Sequence, residues 1–202
     1  MRKLIVVLGL FVLVPGLTLA QNLSPSYYVD YYSNNAGPVP GAPDQIVRII
    51  NVGVGGTPLT SPTGDICANI YVFDNNQELI ACCAQRITPN EPDSSSVGTQ
   101  LTNNPVTSVV PPAGVVKIAL TPASTKCDPT AAALTVDTAD ATLGVVFATH
   151  LQVTGGAKFV TETELQPSSL GLQEGAFLEQ ACSFALYLGS GKGTCSSSTP
   201  GK

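Results

Sequence analysis

A leader segment and six cysteines constrain this chain more than anything else in it. Arg2 and Lys3 give a short basic start, Leu4 to Leu13 is an almost unbroken apolar run, and Pro15 and Gly16 break it. Thr18-Leu19-Ala20 then offers small residues where a signal peptidase reads. This is the pattern of a secretory signal peptide over residues 1–20, cut between Ala20 and Gln21. Export would carry the rest to an oxidising compartment, secreted or periplasmic. There Cys67, Cys82, Cys83, Cys127, Cys182 and Cys195 are expected to form structural disulfides.

Removing the leader from 202 residues leaves enough chain for one domain with a real core. Only 11% of the residues are charged, against roughly 25% in soluble domains at large. The leader holds two of the nine basic residues and none of the acids, so seven bases face fourteen acids in the mature chain. That balance argues against nucleic acid and anionic membrane as partners. After Ala20 no apolar run approaches the ~20 residues that span a bilayer. The partner expected instead is an extracellular protein or glycan.

Residues 21–44 read as a Tyr-rich extension followed by a Pro/Gly linker. Tyr27, Tyr28, Tyr31 and Tyr32 come first, and Asn34 to Pro43 is rich in turn formers. The tyrosine segment either lies on its own domain or forms a short strand that adds to a neighbour's sheet edge, giving an oligomer through Tyr27 to Tyr32. Residues 45–195 read as a single disulfide-braced domain, and 196–202 as a flexible tail. Within the domain, β-branched or alternating runs predict strands at Ile46–Val52, Ile66–Phe73, Glu78–Ile87, Val97–Thr102, Val115–Leu120, Leu143–Val153 and Phe159–Leu165. Asp74 to Gln77 and Gly155-Gly156 are hairpin turns, Pro89 to Ser96 a polar turn, and Thr121 to Asp140 a long loop. From Leu170 to Tyr187 the apolar spacing shifts to three and four, which predicts one C-terminal helix with Ser168 or Ser169 as N-cap. The fold expected is mainly β, an antiparallel sandwich of about seven strands, immunoglobulin-like in general architecture, with that helix covering a face or an open end.

Six cysteines allow fifteen pairings. With Asn75 and Asn76 as the two turn residues, Asp74 opposes Gln77 and Cys67 opposes Ala84. Cys82 then lies one diagonal step from Cys67 on the same face, so Cys67–Cys82 is an allowed bridge. Cys83 points to the other face, with Cys127 as its mate. Cys182–Cys195 would pin the tail to the helix, worth about 3 kcal/mol in loop entropy. A shift in the turn would exchange the roles of Cys82 and Cys83. The competing reading, a thiolate metal or redox site, meets the objection that Cys82-Cys83 lacks the two-residue spacer of such motifs.

No residue set fixes a chemistry. His150 is the one histidine, and no Gly-x-Ser-x-Gly elbow accompanies it. Gly189-Ser190-Gly191 reads as a helix end. Asp65, Asp74, Glu78, Asp93, Asp137, Asp140, Glu162 and Glu164 are the carboxylates a glycosidase would draw on, but most sit in turns where Asp is locally favoured. Asp74-Asn75-Asn76 and Asp137 to Asp140 cluster oxygen atoms without matching an EF-hand loop. Gly53 to Gly56 lacks the Lys-Ser/Thr that completes a phosphate cradle. Asn22-Leu23-Ser24 fits a glycosylation acceptor in a eukaryotic route. No catalytic, cofactor or metal residue is assigned.

Ile66-Cys67-Ala68-Asn69-Ile70-Tyr71-Val72-Phe73-Asp74, Gln77-Glu78 with Cys82-Cys83, and Ile87-Thr88-Pro89-Asn90 stand together with Cys127-Asp128-Pro129 and a C-terminal cysteine helix. As a set these resemble a group of exported bacterial proteins of unknown function, over most of the mature chain. The resemblance implies export but no activity, and Gln85 stands where the group's pattern has a further cysteine. The function expected is non-enzymatic: a secreted structural, adhesive or binding protein. The alternatives are a secreted hydrolase or carbohydrate-active protein, and a polymerising, pilin-like surface subunit.

Overall fold

The computed structural model describes residues 26–35, 44–53, 64–102, 110–123, 126–132, 134 and 143–187. The leader, the linker glycines and prolines, Val54 to Gly56, Asp137, Asp140, Gly189 to Gly191, Cys195 and the 196–202 tail lie outside them.

Alternating and β-branched runs become strands β1 (Tyr27–Tyr32), β2 (Ile46–Asn51), β3 (Ile66–Asp74), β4 (Leu79–Ile87), β5 (Pro92–Ser96), β6 (Gly114–Pro122), β7 (Gly144–Thr154) and β8 (Ala157–Glu164). One helix, α1 (Leu172–Ala185), follows. Two four-stranded antiparallel sheets form, ordered β1-β6-β3-β4 and β5-β2-β7-β8. They stack as a sandwich, and the inward faces of both sheets meet in one core that includes Tyr28, Tyr32, Ile49, Ile70, Cys83, Ile118 and Val146. Burying these apolar side chains is the main favourable term of folding.

Three segments differ from the sequence expectation. The tyrosine segment is β1, paired along its length with the chain's own β6. Its alternation sends Tyr28 and Tyr32 inward, where their hydroxyls donate to the backbone carbonyls of Gly144 (2.5 Å) and Phe73 (3.0 Å). The expected polar turn at 89–96 contains β5, an edge strand on β2 that exposes part of its Pro-Asp-Ser-Ser-Ser sequence to water. The expected strand at 97–102 is a π-helical turn, Val97–Leu101, capped by Ser96, which accepts from the Thr99 N–H. Asp44 adds a second anchor by accepting from the Gly98 N–H at 2.9 Å. Side-chain capping of this kind competes with strand pairing.

The first sheet has a second, outer core. α1 lies over it, and Tyr27, Tyr71, Phe73, Cys82, Leu134, Leu170, Leu178 and Cys182 pack together. This double covering explains why β3 is buried on both faces, with only Asp74 at its end partly open. The helix starts after Gly171 with no side-chain cap. Ser168, an expected cap, instead forms a bridge to Tyr27, donating its N–H to the Tyr27 carbonyl at 2.6 Å.

Candidate functional site

The cysteines brace the outer layer. Cys67 of β3 is bonded to Cys127 of the loop, and Cys82 of β4 to Cys182 of α1, across sequence separations of 60 and 100 residues. These replace the expected Cys67–Cys82, Cys83–Cys127 and Cys182–Cys195 bridges. The reason lies in the β3–β4 hairpin. Asp74 donates its N–H to Glu78 rather than opposing Gln77, Gln77 takes a left-handed φ of 68°, and the register shifts once more between Val72 and Phe73. Cys67 therefore faces Arg86, and Cys82 faces Tyr71. Both cysteines stay on the outer face, but four positions apart, roughly 13 Å at a strand's rise, which is beyond disulfide reach. Cys83 points into the inter-sheet core and is disulfide-bonded too. Among the described residues no cysteine is free. Gln85, where the resembled group has a cysteine, is hydrogen-bonded to Ser95 at 3.2 Å.

Polar groups around this layer hold it in place. Tyr71 donates from its hydroxyl to the Pro129 carbonyl at 2.8 Å, and burial pushes its pKa up. Lys117 pairs with Glu174 of α1 and sits 4.8 Å over the Phe73 ring, which stacks on Phe177. Glu179 accepts from the Leu134 N–H at 3.0 Å. Gly175 faces Leu134 so closely that a Cβ there would lie 3.1 Å from the Leu134 Cβ.

His150 has a partner that sequence reading did not find. Its Nε2 lies 3.6 Å from the Asp30 carboxylate, and its ring stacks on Tyr31 at 4.8 Å. Asp30 is an inward-facing residue of β1, almost fully buried. Burial raises its pKa to about 6, while the His150 charge and the Tyr31 backbone N–H pull the other way. Alternation along β1 could have flagged Asp30, since it shares the face of Tyr28 and Tyr32. Asp30 Oδ1 and His150 Nδ1 are buried without a hydrogen-bond partner.

The other carboxylates are dispersed. Asp65 pairs with Arg86 at 2.6 Å. Asp74 accepts from the Asn76 and Glu78 N–H groups within its turn. Asp93 sits beside Ser95, its pKa raised by burial. Glu162 pairs with Arg48 at 3.0 Å. Glu164, one strand position pair further along β8, shares that outer face. Glu162 and Glu164 thus make a solvated edge rather than a paired acid and base. Among the described residues no three His, Cys, Asp or Glu side chains group as a metal site.

What remains is a surface. β7 and β8 form a hairpin around Gly155-Gly156, both at positive φ as a tight two-residue turn requires. From Gln152 onward the hairpin leaves the sandwich, and every residue of β8 is exposed. Phe159 and Val160 are 55% and 56% exposed, with Val153 also open to solvent. α1 contributes a second apolar surface. Its buried stripe is only Gly175, Leu178 and Cys182, so Leu172 and Phe184 face outward, and Phe177 stays half exposed while stacking on Phe73, despite the apolar spacing that suggested a wider buried face. No family model, curated protein or solved structure matches the chain.

Proposed function

We propose that the chain is an exported, non-enzymatic structural or binding protein whose β7–β8 arm makes its contacts. The observation that carries this reading is β8. An eight-residue strand exposed on both faces, carrying Phe159 and Val160, adds little to its own domain's core. Exposed apolar groups on a projecting strand are what a contact surface looks like. Export is supported by the leader and by the two long-range disulfides, which persist in oxidising compartments. Among the described residues no helix is long and apolar enough to cross a membrane.

A non-enzymatic role is supported by the employment of the chemistry-bearing side chains. The cysteines brace, Tyr28, Tyr32 and Tyr71 anchor backbone carbonyls, and Glu162, Asp65 and Glu174 pair with Arg48, Arg86 and Lys117. Donor-strand exchange of Tyr27 to Tyr32 would withdraw Tyr28 and Tyr32 from the chain's own core, whereas the arm is exposed on both faces without any such cost.

The test places a photoreactive side chain at Phe159 in the exported protein, and in parallel at Asn75 in the β3–β4 turn. Adducts from position 159 and not from position 75 are expected. No adduct at position 159 in the native setting overturns the reading.

A further inference from the structure

We propose that two copies of this chain associate through β8, edge to edge and antiparallel, with Val160 opposite Val160 of the partner subunit. This rests on the arm being the contact element and names what it contacts. β8 ends its sheet, and among the described residues no strand pairs with its outer edge.

The register follows from the hairpin. Leu165 donates its N–H to the Val146 carbonyl at 2.8 Å, in step with the β7–β8 pairing. Bonded and non-bonded pairs alternate in an antiparallel ladder. Ala157, Phe159, Thr161 and Thr163 therefore bond to β7. Lys158, Val160, Glu162 and Glu164 turn their N–H and C=O groups to the free edge. A second β8 can satisfy those groups only if its own even-numbered residues stand opposite them.

Charge then separates the permitted alignments. Centring on Lys158 sets lysine against lysine, and centring on Glu162 sets glutamate against glutamate. Centring on Phe159 sets Val160 against Lys158, and centring on Thr161 sets Lys158 against Glu164 of the partner subunit but leaves Val160 against a glutamate. Centring on Val160 alone both puts the valines together and sets Lys158 opposite Glu162 of the partner subunit, twice by symmetry. Opposite charges facing across strands stabilise a pair, and like charges oppose it. Glu162 already holds Arg48 at 3.0 Å, so each incoming lysine completes a row of alternating charge. Phe159, at the next position, stands opposite Thr161 of the partner subunit. The outer edge of β8 is used once in each chain, so this pairing closes as an isologous dimer and joins two four-stranded sheets into one.

The experiment is sedimentation equilibrium of the purified mature chain from about 1 μM to about 1 mM, the span of weak to moderate association. A monomer–dimer equilibrium is expected. Lys158→Glu and Glu162→Lys should each lower the association constant at least tenfold, and an equal mixture of the two should restore a heterodimer. Val160→Pro removes an N–H that faces the free edge and spares the β7 ladder, so it should give a folded monomer by circular dichroism. A wild-type chain that stays monomeric throughout, or a dimer unchanged by Val160→Pro, overturns the proposal. If the purified chain is monomeric while position 159 forms adducts with a different protein, self-pairing fails and the contact arm stands. If position 159 forms no adduct at all, both fail.

Discussion

Cys82 and Cys83 are adjacent in β4 and face opposite cores: Cys82 is bonded to Cys182 of α1 outside the first sheet, and Cys83 is buried between the sheets. Strand alternation alone produces this division. Its consequence is a covalent link from β4 to α1 that holds the helix layer onto the sandwich, with Cα atoms 5.8 Å apart.

Removing that link should loosen the outer layer first. The double variant Cys82→Ala with Cys182→Ala is expected to lose about 2–5 kcal/mol in guanidinium unfolding, the usual cost of deleting a native disulfide. Hydrogen exchange should rise in α1 more than in β2 or β7. Equal stability with and without the bridge would contradict the packing described.

Gly114 has no room for a side chain. A Cβ there would lie 2.0 Å from the Phe73 carbonyl oxygen and 2.5 Å from the Tyr32 hydroxyl. Gly114→Ala must therefore displace β6 from β3 or break the Tyr32 hydrogen bond. A loss of about 1–3 kcal/mol in denaturant unfolding is expected, the scale of overpacking. A variant as stable as the parent would show that the β1-β6-β3 contact is looser than described.

Most strands legible in the sequence had a buried face to announce them, as β2, β3, β4, β6 and β7 do through runs of β-branched or small apolar residues, and β8 was legible from its alternation although every residue of it is exposed. The Gly155-Gly156 turn was legible because only glycine takes two successive positive φ values cheaply. β5 was not, since its Pro-Asp-Ser-Ser-Ser sequence has turn composition and is a strand only because β2 offers it an edge. The disulfides were not legible because a left-handed Gln77 and one irregularity near Val72 shift the hairpin register, and neither leaves a composition signal. The Asp30–His150 contact joins residues 120 positions apart on different sheets, which periodicity cannot bring together.

Burial of the Asp30 carboxyl gives the stability a pH dependence whose sign follows from the direction of its shift. The carboxyl, at about 6 in the folded chain against an ordinary 3.8, keeps its proton longer than in the unfolded chain. That contribution is fully present below about pH 4 and is lost as pH rises through about 6. Asp30→Asn is neutral at every pH, so its stability relative to the parent should climb between pH 4 and pH 7 by on the order of 2 kcal/mol. Urea unfolding at four pH values measures this. A constant difference across that range would contradict the buried carboxyl.

The arm should be separable from the fold. Phe159 and Val160 are more than half exposed, and changes at such surface positions, Phe159→Ser and Val160→Ser, stay within about 0.5 kcal/mol. Unchanged unfolding midpoints are expected together with weaker photo-adduct formation at the arm. A large stability loss would place these side chains in the domain's own packing.

The most direct test of the whole reading, an exported chain whose cysteines brace a contact scaffold, is intact mass with a non-reducing peptide map of the secreted protein. The result predicted is Cys67 linked to Cys127, Cys82 linked to Cys182, and no alkylatable thiol. An alkylatable Cys82 or Cys83, or a Cys67–Cys82 link, would contradict it and turn attention to thiol chemistry at β4.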